Sequence, residues 1–111
     1  MIVKSDNMIA CMILAGGVGS RMGLGYPKQF AKVDNIPLVI HTLKNFIRNG
    51  KIDKYLIVCE KNWIGEMNNI LTYYHLNDVM VTEGGESSHK SIKKGILFLE
   101  KIMKVDDYVI I

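Results

Sequence analysis

At 111 residues the chain is long enough for one domain with a modest core, and 49% apolar against 23% charged residues is the profile of a soluble globular chain. Its formal net charge of +3 is spread along the sequence without an aromatic-interleaved basic patch, which argues against a nucleic-acid partner but suits a small anionic ligand. No apolar run approaches a membrane span, and the opening MIVKSDN is too polar and too short for a signal peptide, so neither membrane nor secretory classes fit.

In chain order, MIACMIL (8–14) is a continuous apolar run that meets glycines and is expected to be a buried strand. A long glycine-rich connection follows. In IPLVIHTLKNFIRNG, apolar residues recur at helical spacing, with Pro37 suited to the helix start and Gly50 to its stop. KYLIVCE (54–60) is expected to be a second buried strand. NWIGEMNNILTYYHL follows as a second helix, with Asn62 as its cap and Ile64, Met67, Ile70 and Leu71 on one face. DVMVT (78–82) is expected to be a third strand, ending at Glu83-Gly84-Gly85. A third helix over 88–103 would turn Ile92, Ile96, Leu97 and Leu99 inward, and DYVII begins a fourth strand in which the chain stops. Cys11 and Cys59 each lie inside an apolar run and are expected to be buried free thiols of a reduced, cytoplasmic compartment.

Alternating strands and helices call for an α/β fold with a parallel sheet, helices on both faces and right-handed crossovers. Ligands of such sheets bind at the carboxyl ends of the strands. Both glycine-rich stretches, 15–25 and 83–87, come directly after strands and should therefore share one crevice. A final strand cut off at Ile111 is expected to belong to a longer domain, so that residues 1–111 form the amino-terminal part of a single unit.

The first connection, LAGGVGSRMGLGYPKQF (14–30), holds five glycines, Arg21 and a Pro27-Lys28 pair. Glycine amides can approach phosphate oxygens closely. A Walker A loop is excluded, because no Gly-Lys pair occurs and Lys28 follows proline. A dinucleotide fingerprint fits Gly17 and Gly19 but puts Met22 at its third position, and the connection to the first helix is too long; Glu60 could still serve as a ribose-binding acid, so this alternative stays open. The third reading is a loop that wraps a nucleoside triphosphate, with glycine amides on its oxygens and Arg21 and Lys28 reaching inward. Nucleotidyl transfer needs charge neutralised on the reacting phosphorus and the leaving pyrophosphate, which explains the two cations.

The same stretch resembles the L-A-[AG]-G-x-G-x-R-M-G…P-K-Q signature of cytidylyltransferases acting on 2-C-methyl-D-erythritol 4-phosphate or ribitol 5-phosphate. GGESSHKSI (84–92) resembles their second motif, G-G-x-x-R-x-x-S-[VI]. The resemblance covers nearly the whole chain but only the amino-terminal half of the family's domain. It implies a truncated Rossmann-like three-layer sandwich of the nucleotide-diphospho-sugar transferase type, with a mostly parallel sheet. It also implies an enzyme that joins CTP to a sugar-alcohol phosphate, releasing pyrophosphate with Mg²⁺ as cofactor, and a homodimer for the full-length protein. By the same resemblance, Arg21 and Lys28 are catalytic cations at the α-phosphate. Leu14, Ala15, Gly16, Gly17 and Gly19 hold cytidine and phosphates, Gly85 and Glu86 read the cytosine, and Ser91 meets the ribose. The metal-binding aspartate belongs to a later H-D-x-x-R-P motif, expected after Ile111.

One departure stands out: Ser88 replaces the arginine of the second motif, which removes a charged anchor that Lys90 could replace. An inactive nucleotide-binding module is therefore a competing expectation. AGG rather than AAG, PKQF, IHTL and Trp63 are closer in pattern to the ribitol 5-phosphate branch than to the methylerythritol one. The three histidines lack metal-ligand spacing, and His41 within the first helix is expected to be structural. Asp106 and Asp107 precede the last strand, on the edge away from the crevice.

Overall fold

A computed structural model of the chain describes residues 8–16, 25–103 and 107–111, with Tyr108 described by its backbone. Its elements run β1 (Ile9–Ala15), β2 (Lys32–Val33), β3 (Ile36–Pro37), α1 (Leu38–Asn49), β4 (Lys54–Cys59), α2 (Ile64–Tyr73), β5 (Met80–Glu83), α3 (Ser88–Leu99) and β6 (Tyr108–Ile110). Four strands form a sheet in the order β5-β4-β1-β6, every neighbouring pair parallel. Ala10 of β1 pairs with Lys54 of β4, and the register continues to Ala15 opposite Cys59.

The strands are apolar nearly throughout because both sheet faces are covered. Alternation along β1 and β4 divides the core in two. Cys11, Ile13, Ala15, Ile57 and Cys59 pack with Val39, Ile40 and Leu43 of α1 and Met67 and Leu71 of α2. Ala10, Met12, Leu56 and Val58 face the other way, against Leu99 of α3. Thus α1 and α2 share one face and α3 takes the other. Right-handed crossovers require this arrangement, since the chain steps outward from β1 through β4 to β5 and then returns across them to β6. The strand order reverses beside β1, and such a reversal opens a crevice at the carboxyl edge.

The expected strands and helices are all present, most with ends shifted by one to three residues; the third helix, expected to run to Met103, ends at Leu99. Pro37 precedes α1, and Gly50 closes it in the left-handed conformation at φ 68°. Three details differ from the sequence expectation. Asn62 does not cap α2: a 3-10 turn, Lys61–Trp63, leads into the helix, and Trp63 stands at the cap without a side-chain bond. Ile96 and Leu97 do not face inward, being 39% and 51% exposed. The buried stripe of α3 is instead Ser91, Gly95 and Leu99, spaced four apart. A β-carbon on Gly95 would lie 2.6 Å from Met12 Cε and 2.9 Å from Val58 Cγ2, so the bare glycine seats the helix on the sheet. Lastly, the long connection before α1 contains a small antiparallel hairpin, β2–β3, turned by Asp34 and Asn35 at φ 53° and 65°.

At the amino-terminal edge of the sheet, Asp53 Oδ2 accepts from Ile9 N at 2.9 Å and Asp107 Oδ1 accepts from Met8 N at 2.8 Å. Asp107 is therefore a structural acceptor away from the crevice, as expected; Asp106 lies outside the described residues. Among the described residues, no helix is long and apolar enough to cross a membrane.

Candidate functional site

Chain segments leave β1, β4 and β5 at the same edge of the sheet. Beyond β5, Gly84 N donates to Cys59 O at 2.8 Å, which extends the β4–β5 ladder to the edge. The backbone then turns at Gly85, whose N–H donates to Ser91 Oγ at 3.0 Å; the same hydroxyl lies 3.4 Å from Gly85 O, to which it donates. Ser91 is only 3% exposed. A β-carbon on Gly85 would fall 2.5 Å from Lys90 Cβ and 3.1 Å from the Lys90 carbonyl carbon, so a side chain here would require backbone movement. Gly16, the first residue past β1, comes to the same hydroxyl: a β-carbon placed on it would lie 3.8 Å from Ser91 Oγ. Gly16 and Gly85, one from each glycine stretch, therefore converge on one buried serine, although β4 separates their strands.

Helix α3 begins at this point. Ser87 caps it, its hydroxyl accepting from Lys90 N at 3.2 Å. The positive end of the helix dipole faces the crevice and favours an anion there. Ser88 and His89 are exposed on the first turn.

Lys28 sits on a 3-10 turn, Lys28–Phe30, entered through the buried Pro27. Phe30 N donates to Pro27 O at 3.0 Å and Ala31 N to Lys28 O at 2.9 Å. The Phe30 ring stacks against Trp63, centroids 5.3 Å apart and planes tilted by 39°, which pins the turn to the segment following β4. Lys28 is exposed, and among the described residues its ammonium makes no hydrogen bond or ion pair.

Of the residues singled out from sequence, Gly16, Gly85 and Ser91 come together. Leu14 and Ala15 belong to β1 and turn their side chains into opposite halves of the core, so only their backbone can serve a ligand. Glu86 is exposed and pairs with Lys90 at 3.2 Å, both side chains largely in solvent at 90% and 61% exposure. Such a pair adds little to stability. Arg21, Gly17 and Gly19 lie outside the described residues.

Ser91 has a structural role that the resemblance did not imply: its hydroxyl is committed to the turn at Gly85. Sequence reasoning also missed Lys94, whose Nζ donates to Gly84 O at 3.2 Å. Lys94 and Lys61 border a cavity of about 570 Å³ with Glu60, Glu83, Gly85 and Glu86. The available signal was the four-residue step from Lys90 to Lys94, which puts both on one helical face.

The thiols are unsuited to chemistry. Burial, with a smaller push from Glu60, raises Cys59 to about 11, and burial raises Cys11 as well. Among the described residues no three His, Cys, Asp or Glu side chains are placed to hold a metal ion.

The family model for IspD, 2-C-methyl-D-erythritol 4-phosphate cytidylyltransferase, matches residues 9–111. The ribitol-5-phosphate cytidylyltransferase of Lacticaseibacillus paracasei is 40% identical over 94% of this chain and 45% of its own length. That of Streptococcus agalactiae serotype Ia is 39% identical over 90% of this chain and 43% of its own length. The chain thus spans less than half the length of these curated relatives. Among solved structures, a 4-diphosphocytidyl-2C-methyl-D-erythritol synthase superimposes with a TM-score of 0.76 over 96% of this chain and 45% of its own, at 18% identity. The corresponding synthase from Anaerococcus prevotii gives 0.67 over 91% and 40%, at 20% identity. The likeness to these two structures establishes the fold: a parallel α/β sandwich with helices on both faces. A match through the glycine segment, the second motif and the last strand alike makes the chain a member of the 2-C-methyl-D-erythritol 4-phosphate cytidylyltransferase family.

Proposed function

We propose that this chain is the CTP-binding portion of a cytidylyltransferase whose acceptor is ribitol 5-phosphate. The observation that carries the reading is the convergence of Gly16 and Gly85 on Ser91 at the carboxyl edge of the sheet, beside the amino-terminal end of α3. The Gly85 N–H is itself committed to Ser91, so it is the positive end of the α3 dipole, brought to this edge by the turn, that favours a polyanion. In the reaction, a phosphate oxygen of ribitol 5-phosphate attacks the α-phosphorus of CTP. A new P–O bond forms, the α–β bridging bond breaks, and CDP-ribitol and pyrophosphate result.

The protein's part in such a transfer is positioning and charge neutralisation. Lys28, exposed and without a partner among the described residues, is free to meet the α-phosphate. Arg21 joins it in this reading as the second cation, with Gly17 and Gly19 supplying further amides. Gly85 and Glu86 lie where the cytosine is recognised. Ser91 acts here by holding the Gly85 turn open for the base. Mg²⁺, a homodimeric assembly and a cytoplasmic location belong to the same reading through the resemblance, with the metal ligand supplied from outside these residues.

Ribitol 5-phosphate is preferred because the named relatives at 39–40% identity are ribitol-5-phosphate cytidylyltransferases. Methylerythritol phosphate is the second reading, from the family model's description. The test is pyrophosphate release from CTP by the full-length chain with each acceptor. Turnover with ribitol 5-phosphate well above that with methylerythritol phosphate supports the proposal; the reverse order assigns the second reading. CTP binding with turnover of neither makes the protein an inactive nucleotide-binding module.

A further inference from the structure

The long connection before α1 is tied down by one side chain that the mechanism above does not use. His41, half-buried in the first turns of α1, places Nε2 2.7 Å from Val33 O, at the end of β2. A carbonyl can only accept, so Nε2 carries the proton and donates. Either the neutral Nε2–H tautomer or the imidazolium can do this.

The bond is the last of a short series. Ala31 N donates to Lys28 O at 2.9 Å, and Leu38 N, the first amide of α1, donates to Ala31 O at 2.8 Å. His41 then holds Val33. The backbone carrying Lys28 is thus tied to α1 at two successive points, Ala31 and Val33. α1 itself is fixed through the fully buried Val39, Ile40 and Leu43. The hairpin's own burial lies in β3, where Pro37 is buried and Ile36 packs on the core; β2 contributes none, because Lys32 and Val33 are exposed and the turn residues after them adopt left-handed conformations. A two-residue strand pair is marginal by itself. The imidazole supplies for β2 an anchor that the side chains of β2 do not.

We infer that His41 is a positioning residue: through Val33 it fixes the β2–β3 hairpin on α1 and so sets the place from which Lys28 reaches its anion. This rests on the nucleotidyl-transfer reading for its functional consequence but not for the contact itself. A displacement of about 1 Å in a charge-stabilising group can lower turnover on the order of 100-fold.

The test is a double-mutant cycle in the full-length chain, with amide hydrogen exchange of residues 28–33 recorded for each variant. His41→Ala should lower kcat about 100-fold, the fall expected of a cation misplaced by about 1 Å, with KM for CTP changing less. Exchange at 28–33 should rise while the β1 and β4 amides stay protected. His41→Gln, whose terminal amide can reach the same carbonyl, should restore both. In a Lys28→Ala background the His41→Ala change should add almost nothing, since its effect runs through Lys28. Equal losses in both backgrounds, or unchanged exchange at 28–33, would overturn the inference. If the wild type turns over neither acceptor, the functional reading fails while the exchange comparison still decides the contact.

Discussion

Removing the Ser91 hydroxyl tests the junction on which the site is built. In Ser91→Ala the Gly85 N–H loses its 3.0 Å acceptor, and the Gly85 carbonyl loses the 3.4 Å donor. A typical hydrogen bond contributes about 1 kcal/mol net, but a donor left unsatisfied near the interior costs roughly 1–3 kcal/mol. Little relief is available, because Ser91 is 3% exposed and solvent does not reach the vacated position freely. A loss of about 1–3 kcal/mol corresponds to a fall in Tm of roughly 5–15 °C for a domain of this size. Thermal unfolding followed by circular dichroism gives the total, and amide exchange at Gly85 localises it. Ser91→Cys, nearly isosteric but a poor acceptor, should fall between wild type and alanine. A Ser91→Ala protein within about 0.3 kcal/mol of wild type, with Gly85 equally protected, would refute the claim that this hydroxyl holds the turn; effects that small are ordinary for surface changes.

Gly95→Ala sets overpacking against Met12 and Val58, about 1–3 kcal/mol, against a helix-propensity gain of about 1 kcal/mol. A net loss near 1 kcal/mol is expected in denaturant unfolding, whereas Leu97→Ala, at a half-exposed position, should change stability by less than about 0.5 kcal/mol. Trp63 is the sole tryptophan and touches Phe30, so CTP should alter its fluorescence by moving the adjoining Lys28 turn; a flat titration under saturating CTP would contradict that coupling. Cys59 is fully buried and raised from 9.0 to about 11. The folded state then binds the thiol proton more tightly than the unfolded state, so its stabilising contribution is complete below pH 9 and is lost as pH rises toward about 11. The loss is on the order of 2–3 kcal/mol, and in Cys59→Ala the pH slope of unfolding should flatten over that window.

The α/β alternation was legible because buried parallel strands write continuous apolar runs, as in residues 9–15 and 54–59, and because Pro37 and Gly50 mark the ends of α1. The meeting of Gly16 and Gly85 was legible from the rule that such sheets bind at their carboxyl edge. What periodicity could not show was where α3 approaches most closely. Gly95 carries no hydropathy signal, yet its lack of a side chain turns that face inward and leaves Ile96 and Leu97 outside. The β2–β3 hairpin was missed because its strands are two residues each, too short for alternation; Asp34-Asn35 was the only local sign. The Ser91–Gly85 and His41–Val33 bonds depend on tertiary placement that single-residue pattern does not encode.

The claim that this crevice receives CTP is tested most directly by amide chemical shifts of the full-length chain during a CTP titration. The account predicts saturable shifts at Gly16, Gly85 and Ser91 and at the Lys28 turn, with none of comparable size on adding NADH. Saturable shifts with NADH but not CTP at these residues, or CTP shifts confined to other parts of the molecule, would contradict it.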